Sequence, residues 1–202
     1  QGYLLAKSLK ADLQKDTVEL NEKILMGEKI VALSDSLNNQ LSLVVDIDSL
    51  LNSSLSTLTA EDHLTLSTTT YTQIQNDCTG KILYTPIMQQ MIKYYEHSTE
   101  IKYREEKSTA AKNNLVEYLS GLSDLKNILE KDSNQLNIQM NPGLVDGGQR
   151  LKIKNQIYLI QTQQKATLKE YKIQLEEAQK LISSITKHYF IQRSEEHTSE
   201  LQ

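Results

Sequence analysis

The sequence predicts an all-α protein, an elongated antiparallel helical bundle or coiled coil built from long helices. Apolar residues recur at steps of three and four along most of the chain, which is the spacing of a coiled-coil seam. The 202 residues include no Trp, 1 Phe, 7 Gly and 2 Pro, so bulky aromatic side chains and helix breakers are both scarce. Leu and Ile diluted by polar residues suit helices that each bury one stripe.

Residues 1–56 are predicted to form one long helix. Gly27 interrupts its apolar stripe and costs about 1 kcal/mol relative to Ala inside a helix, which predicts a bend or a close helix contact. The Ser/Thr-rich stretch 52–59 is predicted to end the helix. The stripe contains Leu20, Ile24, Ile30, Leu33, Leu37, Leu41, Val44, Ile47 and Leu51.

Residues 57–85 are predicted to hold a short helix and a connector. Thr59 and Asp62 have the spacing of a capping box, and a helix over about residues 60–77 would follow. Gly80 marks the connector after that helix.

A second long helix is predicted over residues 86–132. Pro86 fits its first turn, where the missing N–H does no harm. The middle, 98–114, is almost wholly polar, so the helix is expected either to be solvated there or to bend away from its partner. Its apolar ends contain Met88, Met91 and Tyr95, and Leu115, Leu119, Leu122, Leu125 and Leu129.

Residues 133–148 are predicted to form a turn, because Pro142, Gly143, Gly147 and Gly148 all fall within them. Such a break returns the chain as an antiparallel hairpin.

A third long helix, a coiled-coil helix, is predicted over residues 149–192. We predict that its apolar line is a seam for a partner helix. The predicted partner seam contains Ile153, Ile157, Ile160, Leu168, Tyr171, Leu175, Ile182 and Ile185. The same line also passes through Gln164, Ala178 and Tyr189.

Residues 193–202 read as a translated sequencing adapter. We therefore expect them to be an adapter-derived tail outside the fold. The sequence starts at Gln1 rather than Met, so we also expect the natural ends of the protein to lie beyond this sequence.

Charge and composition argue against several kinds of partner. The formal net charge is −4 and the two signs are interspersed, so neither nucleic acid nor a membrane is an expected partner. No apolar run approaches the roughly 20 residues that cross a bilayer. Cys78 is the single cysteine, which forbids an intrachain disulfide and indicates a reducing compartment.

No catalytic, cofactor-binding or metal site is predicted, and the chain is not expected to be an enzyme. His63, His97 and His188 lack the Glu three residues earlier that di-iron helical bundles use. A Gly-Lys-Ser/Thr phosphate-binding loop is absent from the sequence as well.

A basic cluster near the start of the last helix contains Lys152, Lys154, Lys165 and Lys169. Either these side chains lie on a solvated face, or they contact an acidic surface such as a microtubule.

Four blocks of sequence carry a family resemblance. The first is Leu37-Asn38-Asn39-Gln40-Leu41 with Asp46 and Leu50-Leu51. The second runs from Leu58-Thr59-Ala60-Glu61-Asp62 to Thr70-Tyr71-Thr72-Gln73. The third is Asn134-Gln135-Leu136-Asn137-Ile138-Gln139, and the fourth is Arg150-Leu151 with Tyr158, Gln161, Gln163-Gln164 and Leu168-Lys169.

Taken in order, these blocks resemble subunit 3 of the augmin complex, a family of long coiled-coil proteins. The first resembles the end of the family's first long helix, and the second its acidic pair followed by Tyr-Thr. The third precedes a proline-containing turn, and the fourth is similar to the Tyr- and Gln-rich start of the next coil. The stretch 77–132 is longer than the family pattern, so it reads as an added or extended helical pair.

The resemblance implies a structural scaffold subunit without a cofactor. Augmin binds the side of existing microtubules and recruits the γ-tubulin ring complex, so that new microtubules branch off in the mitotic spindle. The implied role is therefore microtubule-dependent microtubule nucleation and spindle assembly, in the cytoplasm on the cytoskeleton and spindle. The implied partners are helices of augmin subunits, especially subunit 5, and through the assembly the microtubule or the γ-tubulin complex.

The same helical pattern also fits two other classes of protein. One is an unrelated coiled-coil adaptor or tether, at a kinetochore, a vesicle or a bacterial surface. The other is a helical-bundle toxin, although such toxins usually carry a strongly apolar hairpin and this sequence has none. An N-terminal helical domain on the full-length chain would favour augmin, whereas a signal peptide or membrane anchor would exclude it.

Overall fold

The structure is a computed structural model that describes residues 2–43, 47–60, 63–76, 83–122 and 146–191. Within those ranges every regular element is helical, so the predicted all-α class is confirmed. The α-helices are α1 Gly2–Gln40, α2 Ile47–Leu58, α3 Thr69–Asn76, α4 Thr85–Leu122 and α5 Gly147–Thr186. A π-helical turn, Lys187–Ile191, follows α5.

The chain divides into two compact units, and α1, α4 and α5 each contribute residues to both. Unit 1 contains Gln1–Ile24, Leu64–Lys102 and Glu170–Gln202. Unit 2 contains Leu25–His63 and Tyr103–Lys169.

The core of unit 1 is built from α1, α3, α4 and α5 and includes aromatic side chains. Tyr71 stacks on Tyr95 with ring centroids 4.2 Å apart, and Tyr94 meets Tyr95 edge-on at 5.0 Å. The buried cluster contains Leu5, Ala6, Leu9, Leu13, Ile74, Leu83, Ile87, Met91, Tyr94, Tyr95, Ala178, Leu181 and Ile185.

The core of unit 2 is built from α1, α2, α4 and α5 and is aliphatic. Its buried members are Ile30, Leu37, Leu41, Ile47, Leu51, Leu55, Leu58, Ala111, Leu115, Leu119, Leu122, Ile153, Ile157 and Ile160. One stripe from each helix supplies this core, as expected for amphipathic helices.

The predicted single helix over residues 1–56 is wrong, because the structure divides it in two. α1 ends at Gln40, whose carbonyl accepts the N–H of Leu43 at 2.8 Å, and α2 begins at Ile47. Leu41 and Ile47 are both buried in the core of unit 2. Apolar residues on both sides of the break therefore enter one core, and the three- and four-residue spacing continues across it without showing the turn.

The short helix also starts later than predicted. The hydroxyl of Thr59 donates to the carbonyl of Leu55 at 2.8 Å, so it closes the end of α2 instead of starting a helix. Asp62, the other half of the predicted capping box, lies outside the described residues. Residues 63–68 are not helical, and α3 begins only at Thr69.

The second long helix begins close to its predicted start, with Pro86 in the first turn of α4. The described part of α4 ends at Leu122. Its predicted extension to residue 132 and the predicted turn as far as residue 145 lie outside the described residues.

The last helix begins at Gly147, inside the predicted turn, because Asp146 caps it. Oδ1 of Asp146 accepts the N–H groups of Gly148 and Gln149 at 2.8 and 2.9 Å. The side chain of Gln149 in turn accepts the N–H of Asp146 at 2.7 Å, which completes a capping box. The predicted tail 193–202 lies outside the described residues.

Candidate functional site: the seam of the last helix and its polar contacts

The predicted partner seam of α5 lies largely inside the chain's own cores. Six of its residues are buried: Ile153, Ile157, Ile160, Leu168, Tyr171 and Ile185. The other two, Leu175 and Ile182, are half-buried. The buried side chains pack within this chain, so the half-buried ones offer the apolar area that remains open to a partner.

In the second half of α5 the buried row differs from the predicted one. The predicted line passes through Leu175 and Ile182, which are half-buried, whereas the adjacent residues Gln174 and Leu181 are fully buried. Ala178 and Ile185 of the predicted line are fully buried as well. Gln174 is drawn inward because its Nε2 donates to the backbone carbonyl of Tyr94 at 2.9 Å. A prediction based on apolar residues alone cannot identify a buried glutamine.

Three carboxylates of α1 hold the non-helical segment of unit 1. Asp12, Asp16 and Glu19 lie at helical spacing on one face. They accept backbone N–H groups from Thr70 at 3.2 Å, Ser67 at 2.8 Å and Thr65 at 2.7 Å, respectively. We call these three side chains the carboxylate row, and we call residues 64–70, which run into the first turn of α3, the strap. The row supplies acceptors to N–H groups that have no partner in a helix or sheet, because the first N–H groups of a helix also lack one.

Asp16 is the buried centre of this arrangement. The hydroxyl of Tyr94 donates to its Oδ2 at 2.9 Å, and both side chains are almost fully inaccessible to solvent. Burial raises the pKa of Asp16 above its usual value, although the hydrogen bonds from Ser67 and Tyr94 act in the opposite direction. Burial, followed by the charge of Asp16, likewise raises the pKa of Tyr94.

Tyr95 also bonds to the strap. Its hydroxyl donates to the carbonyl of Ser67 at 2.8 Å, so Ser67 is bonded through both of its backbone groups. Burial is the main cause that raises the pKa of Tyr95, and the Asp16 charge adds to it. The tyrosine therefore stays a neutral hydrogen-bond donor.

A second polar group in unit 1 joins α4 to α5. His97 has Nε2 at 3.1 Å from Glu170 and Nδ1 at 3.3 Å from Glu177. A neutral imidazole has one N–H and can donate to one of these carboxylates, whereas the imidazolium can donate to both. Lys93 also reaches Glu177 at 2.8 Å, and this contact raises the pKa of Lys93.

Unit 2 has its own polar contacts, in the stretch of α4 that was expected to be solvated or to bend away. That expectation is wrong for one face, because Glu105, Ser108 and Lys112 are buried. Ser108 donates to Gln164 at 2.9 Å, and Lys112 donates to the carbonyl of Ala60 at 2.6 Å. Polar side chains with partners inside the unit can be buried where apolar ones are missing.

Two further contacts complete the polar side of unit 2. His63 lies 3.4 Å from the carboxylate of Glu105. Gln161 bonds to Asp35 and is itself buried. Periodicity did not single out Gln161, because the residue is polar and falls beside the apolar line.

Gly27 marks the close helix contact that was one of its two predicted roles. A Cβ at this position would lie 2.6 Å from Cδ2 and 3.0 Å from Cγ of Leu168. It would also lie 2.8 Å from Nε2 of Gln164. The missing side chain therefore allows α1 and α5 to approach within unit 2.

Each polar side chain described above bonds to another side chain or to backbone, although Oε1 of Gln174 is buried without a hydrogen-bond partner. These bonds suit the side chains to hold helices together. Among the described residues no group of three or more His, Cys, Asp or Glu has the arrangement of a metal site. Two grooves on unit 1 measure about 280 and 300 Å³, at the lower limit of the roughly 300–1,000 Å³ of small-molecule sites. None of the helices that the structure describes is both long and apolar enough to span a bilayer.

Comparisons with protein-family models, with curated proteins and with solved structures give no match to this chain.

Proposed function

We propose that this protein is a structural scaffold whose long helices assemble with helices of partner chains. The observation that carries the proposal is the length of α1, α4 and α5, which have 39, 38 and 40 residues. Helices of ordinary globular domains average about 11–12 residues. Long amphipathic helices of this kind are typical of bundles and coiled coils that bind through their faces.

The proposal includes an antiparallel arrangement of α4 and α5. In unit 1, Lys93 pairs with Glu177 and His97 pairs with Glu170, so that higher numbers on α4 meet lower numbers on α5. In unit 2 the hydroxyl of Thr167 donates to the carbonyl of Arg104 at 3.3 Å, which keeps the same order. The same proposal holds that the whole chain is elongated. Small-angle X-ray scattering tests this.

We further propose that the scaffold belongs to augmin, as a subunit 3. The support is the ordered resemblance of the four sequence blocks. Two of the blocks fall at helix ends, as the family pattern requires: α1 ends at Gln40 within the first, and α5 starts just before the fourth. The role would be to support microtubule-dependent microtubule nucleation and spindle assembly, together with augmin subunit 5.

Co-expression with augmin subunit 5 tests this proposal. We expect the two chains to co-purify, and we expect Leu175→Asp to abolish the complex, because it puts a charge on the half-buried part of the seam. Gln179→Asp adds the same charge at an exposed position of α5 and should leave the complex intact. Circular dichroism of both variants checks that each remains helical.

Other outcomes would point to the alternative classes. Failure to bind any augmin subunit, with spindle localisation also absent, would exclude augmin and leave an unrelated adaptor or tether. Leakage of lipid vesicles on addition of the protein would support the second alternative, a helical-bundle toxin.

A further inference from the structure

One line of α5 in unit 2 is exposed to solvent along its whole length. Its members follow alternate steps of four and three, so they lie within a narrow sector of the helix. We call this line the outer face of α5. It contains Leu151, Asn155, Tyr158, Thr162, Lys165 and Lys169, all of them exposed.

The outer face begins with large apolar side chains. Leu151 is 58% exposed and Tyr158 is 64% exposed, and Leu159 beside them is 38% exposed. Single exposed apolar residues are common on soluble proteins. Leu151 and Tyr158, however, are seven residues apart, which places them two turns apart on the same side. This is the spacing at which one helix offers contacts to another.

The same half of α5 is strongly basic. Between Gly147 and Lys169 there are five basic side chains and no acidic one, in a chain whose formal net charge is −4. The basic residues are Arg150, Lys152, Lys154, Lys165 and Lys169.

The contacts that the structure describes for the four lysines include no carboxylate. Lys152 lies over the ring of Tyr118, 5.0 Å from its centroid, and Lys154 donates to the hydroxyl of Ser42 at 2.8 Å. Neither partner is acidic. Lys165 and Lys169 are exposed and form no ion pair with any residue that the structure describes.

We propose that the outer face of α5 binds an acidic amphipathic helix of another protein. Leu151 and Tyr158 would pack against the apolar stripe of that helix, and Lys165 and Lys169 would pair with its carboxylates. A charged surface favours a partner of opposite charge and suppresses others. The outer face is distinct from the predicted partner seam, so this inference does not depend on the augmin proposal.

The chemistry of the face favours a protein helix over other acidic partners. A phosphate backbone offers no apolar surface to cover Leu151. The negative net charge of the whole chain opposes binding to a polyanion or to an anionic bilayer. A helix provides apolar and acidic groups at the matching seven-residue and four-residue spacings.

The test uses the full chain and a synthetic probe. The probe is a fluorescent three-heptad peptide with Leu at positions a and d, Glu at e and g, and Ala or Gln elsewhere. One control peptide has Lys in place of every Glu, and another has the same composition with the Leu positions scrambled. Fluorescence anisotropy should show binding of the acidic probe at least about tenfold tighter than that of either control, because both charge and stripe are needed.

Matched variants locate the binding surface. Leu151→Ala with Tyr158→Ala, and separately Lys165→Glu with Lys169→Glu, should each weaken probe binding about tenfold or more. Leu4→Ala removes a similarly exposed leucine from unit 1, and Lys7→Glu with Lys15→Glu makes the same charge change on α1. These controls should leave binding unchanged. All seven substituted positions are exposed, and circular dichroism checks that every variant folds as the parent does.

The inference would be overturned if the acidic and control peptides bound equally well. It would also be overturned if the outer-face variants and the control variants lost probe binding to the same extent. Binding of duplex DNA or of phosphatidylserine vesicles that depends on Leu151 and Tyr158 would assign the face to another class of partner. Self-association that Tyr158→Ala removes, measured by sedimentation equilibrium, would assign it to a second copy of this chain.

Discussion

Unit 1 and unit 2 draw on the same three long helices, yet their interiors differ in chemistry. Unit 1 buries Asp16 and Tyr94 against each other and packs tyrosine rings beside aliphatic side chains. Unit 2 has a core of Leu, Ile and Ala, with polar contacts such as Ser108–Gln164 in addition. The comparison shows that a helix can change its mode of packing along its length.

The interiors differ because each unit packs a different additional segment against the three long helices. The strap of unit 1 has backbone N–H groups that need acceptors, and the carboxylate row supplies them. Unit 2 receives α2, whose apolar side chains Leu51, Leu55 and Leu58 enter the core directly. Hydrogen bonds to a buried charge are directional, whereas apolar packing depends mainly on area and fit.

The largest effect is expected from a cavity in unit 2. Ile157→Ala removes a fully buried side chain and should lower the free energy of unfolding by about 2–5 kcal/mol. Leu151→Ala, at an exposed position on the same helix, should change it by less than about 0.5 kcal/mol. Urea denaturation followed by circular dichroism measures both. Similar effects for the two variants would contradict an aliphatic core in unit 2.

A smaller loss is expected when the polar interior of unit 1 loses one hydrogen bond. Tyr94→Phe leaves the buried Oδ2 of Asp16 without its donor and should cost about 1–3 kcal/mol. Tyr103→Phe removes a hydroxyl from a tyrosine that is about half exposed and should be nearly neutral. Hydrogen exchange read residue by residue should show the loss of protection for Tyr94→Phe in unit 1. Unchanged protection there would mean that the Asp16–Tyr94 bond does not stabilise the unit.

The two glycines Gly27 and Gly121 should respond to alanine in opposite directions. At Gly27 the clash with Leu168 and Gln164 should outweigh the roughly 1 kcal/mol that Ala gains in a helix, leaving a net loss of about 1 kcal/mol. At Gly121 the described residues, apart from its chain neighbours and the nearby backbone of α4, place no atom within 4 Å of the added Cβ, so Ala should stabilise the chain by up to about 1 kcal/mol. Thermal denaturation compares them. A stabilising Gly27→Ala would show that α1 and α5 do not meet closely there.

The smallest effect is expected from the titration of Asp16, because hydrogen bonds to its carboxylate offset part of the cost of burial. Its pKa in the folded chain lies above the 3.8 of an unperturbed Asp, so folding strengthens proton binding. The stabilisation from this group is therefore complete below pH 3.8 and is lost as the pH rises through the higher folded pKa.

Asp16→Asn removes this titration and isolates its contribution. The unfolding free energy of the parent minus that of Asp16→Asn should fall as the pH rises from about 4 to neutrality. Chemical denaturation at a series of pH values measures the difference. A difference that increases with pH would mean that the ionised carboxylate is favoured in the folded chain.

The sequence predicted the helical class because apolar spacing is a local signal. The break after Gln40 was missed because the same spacing continues through Leu41 and Ile47 on both sides of it. Gln174 was missed because its burial depends on a carbonyl of α4, far away in the sequence. The helical spacing of Asp12, Asp16 and Glu19 is visible in the sequence, but the strap that they bind is not adjacent to them.

The carboxylate row also bears on the order of events in folding. Its three hydrogen bonds join residues that are 46, 51 and 58 positions apart. The three side chains line up only when α1 is already helical, so the strap should dock after that helix has formed. Substitution of Ser67 by Pro, which removes the N–H bonded to Asp16, should therefore speed unfolding and leave the folding rate almost unchanged. Stopped-flow kinetics would detect the contrary case, in which early docking of the strap makes folding slower as well.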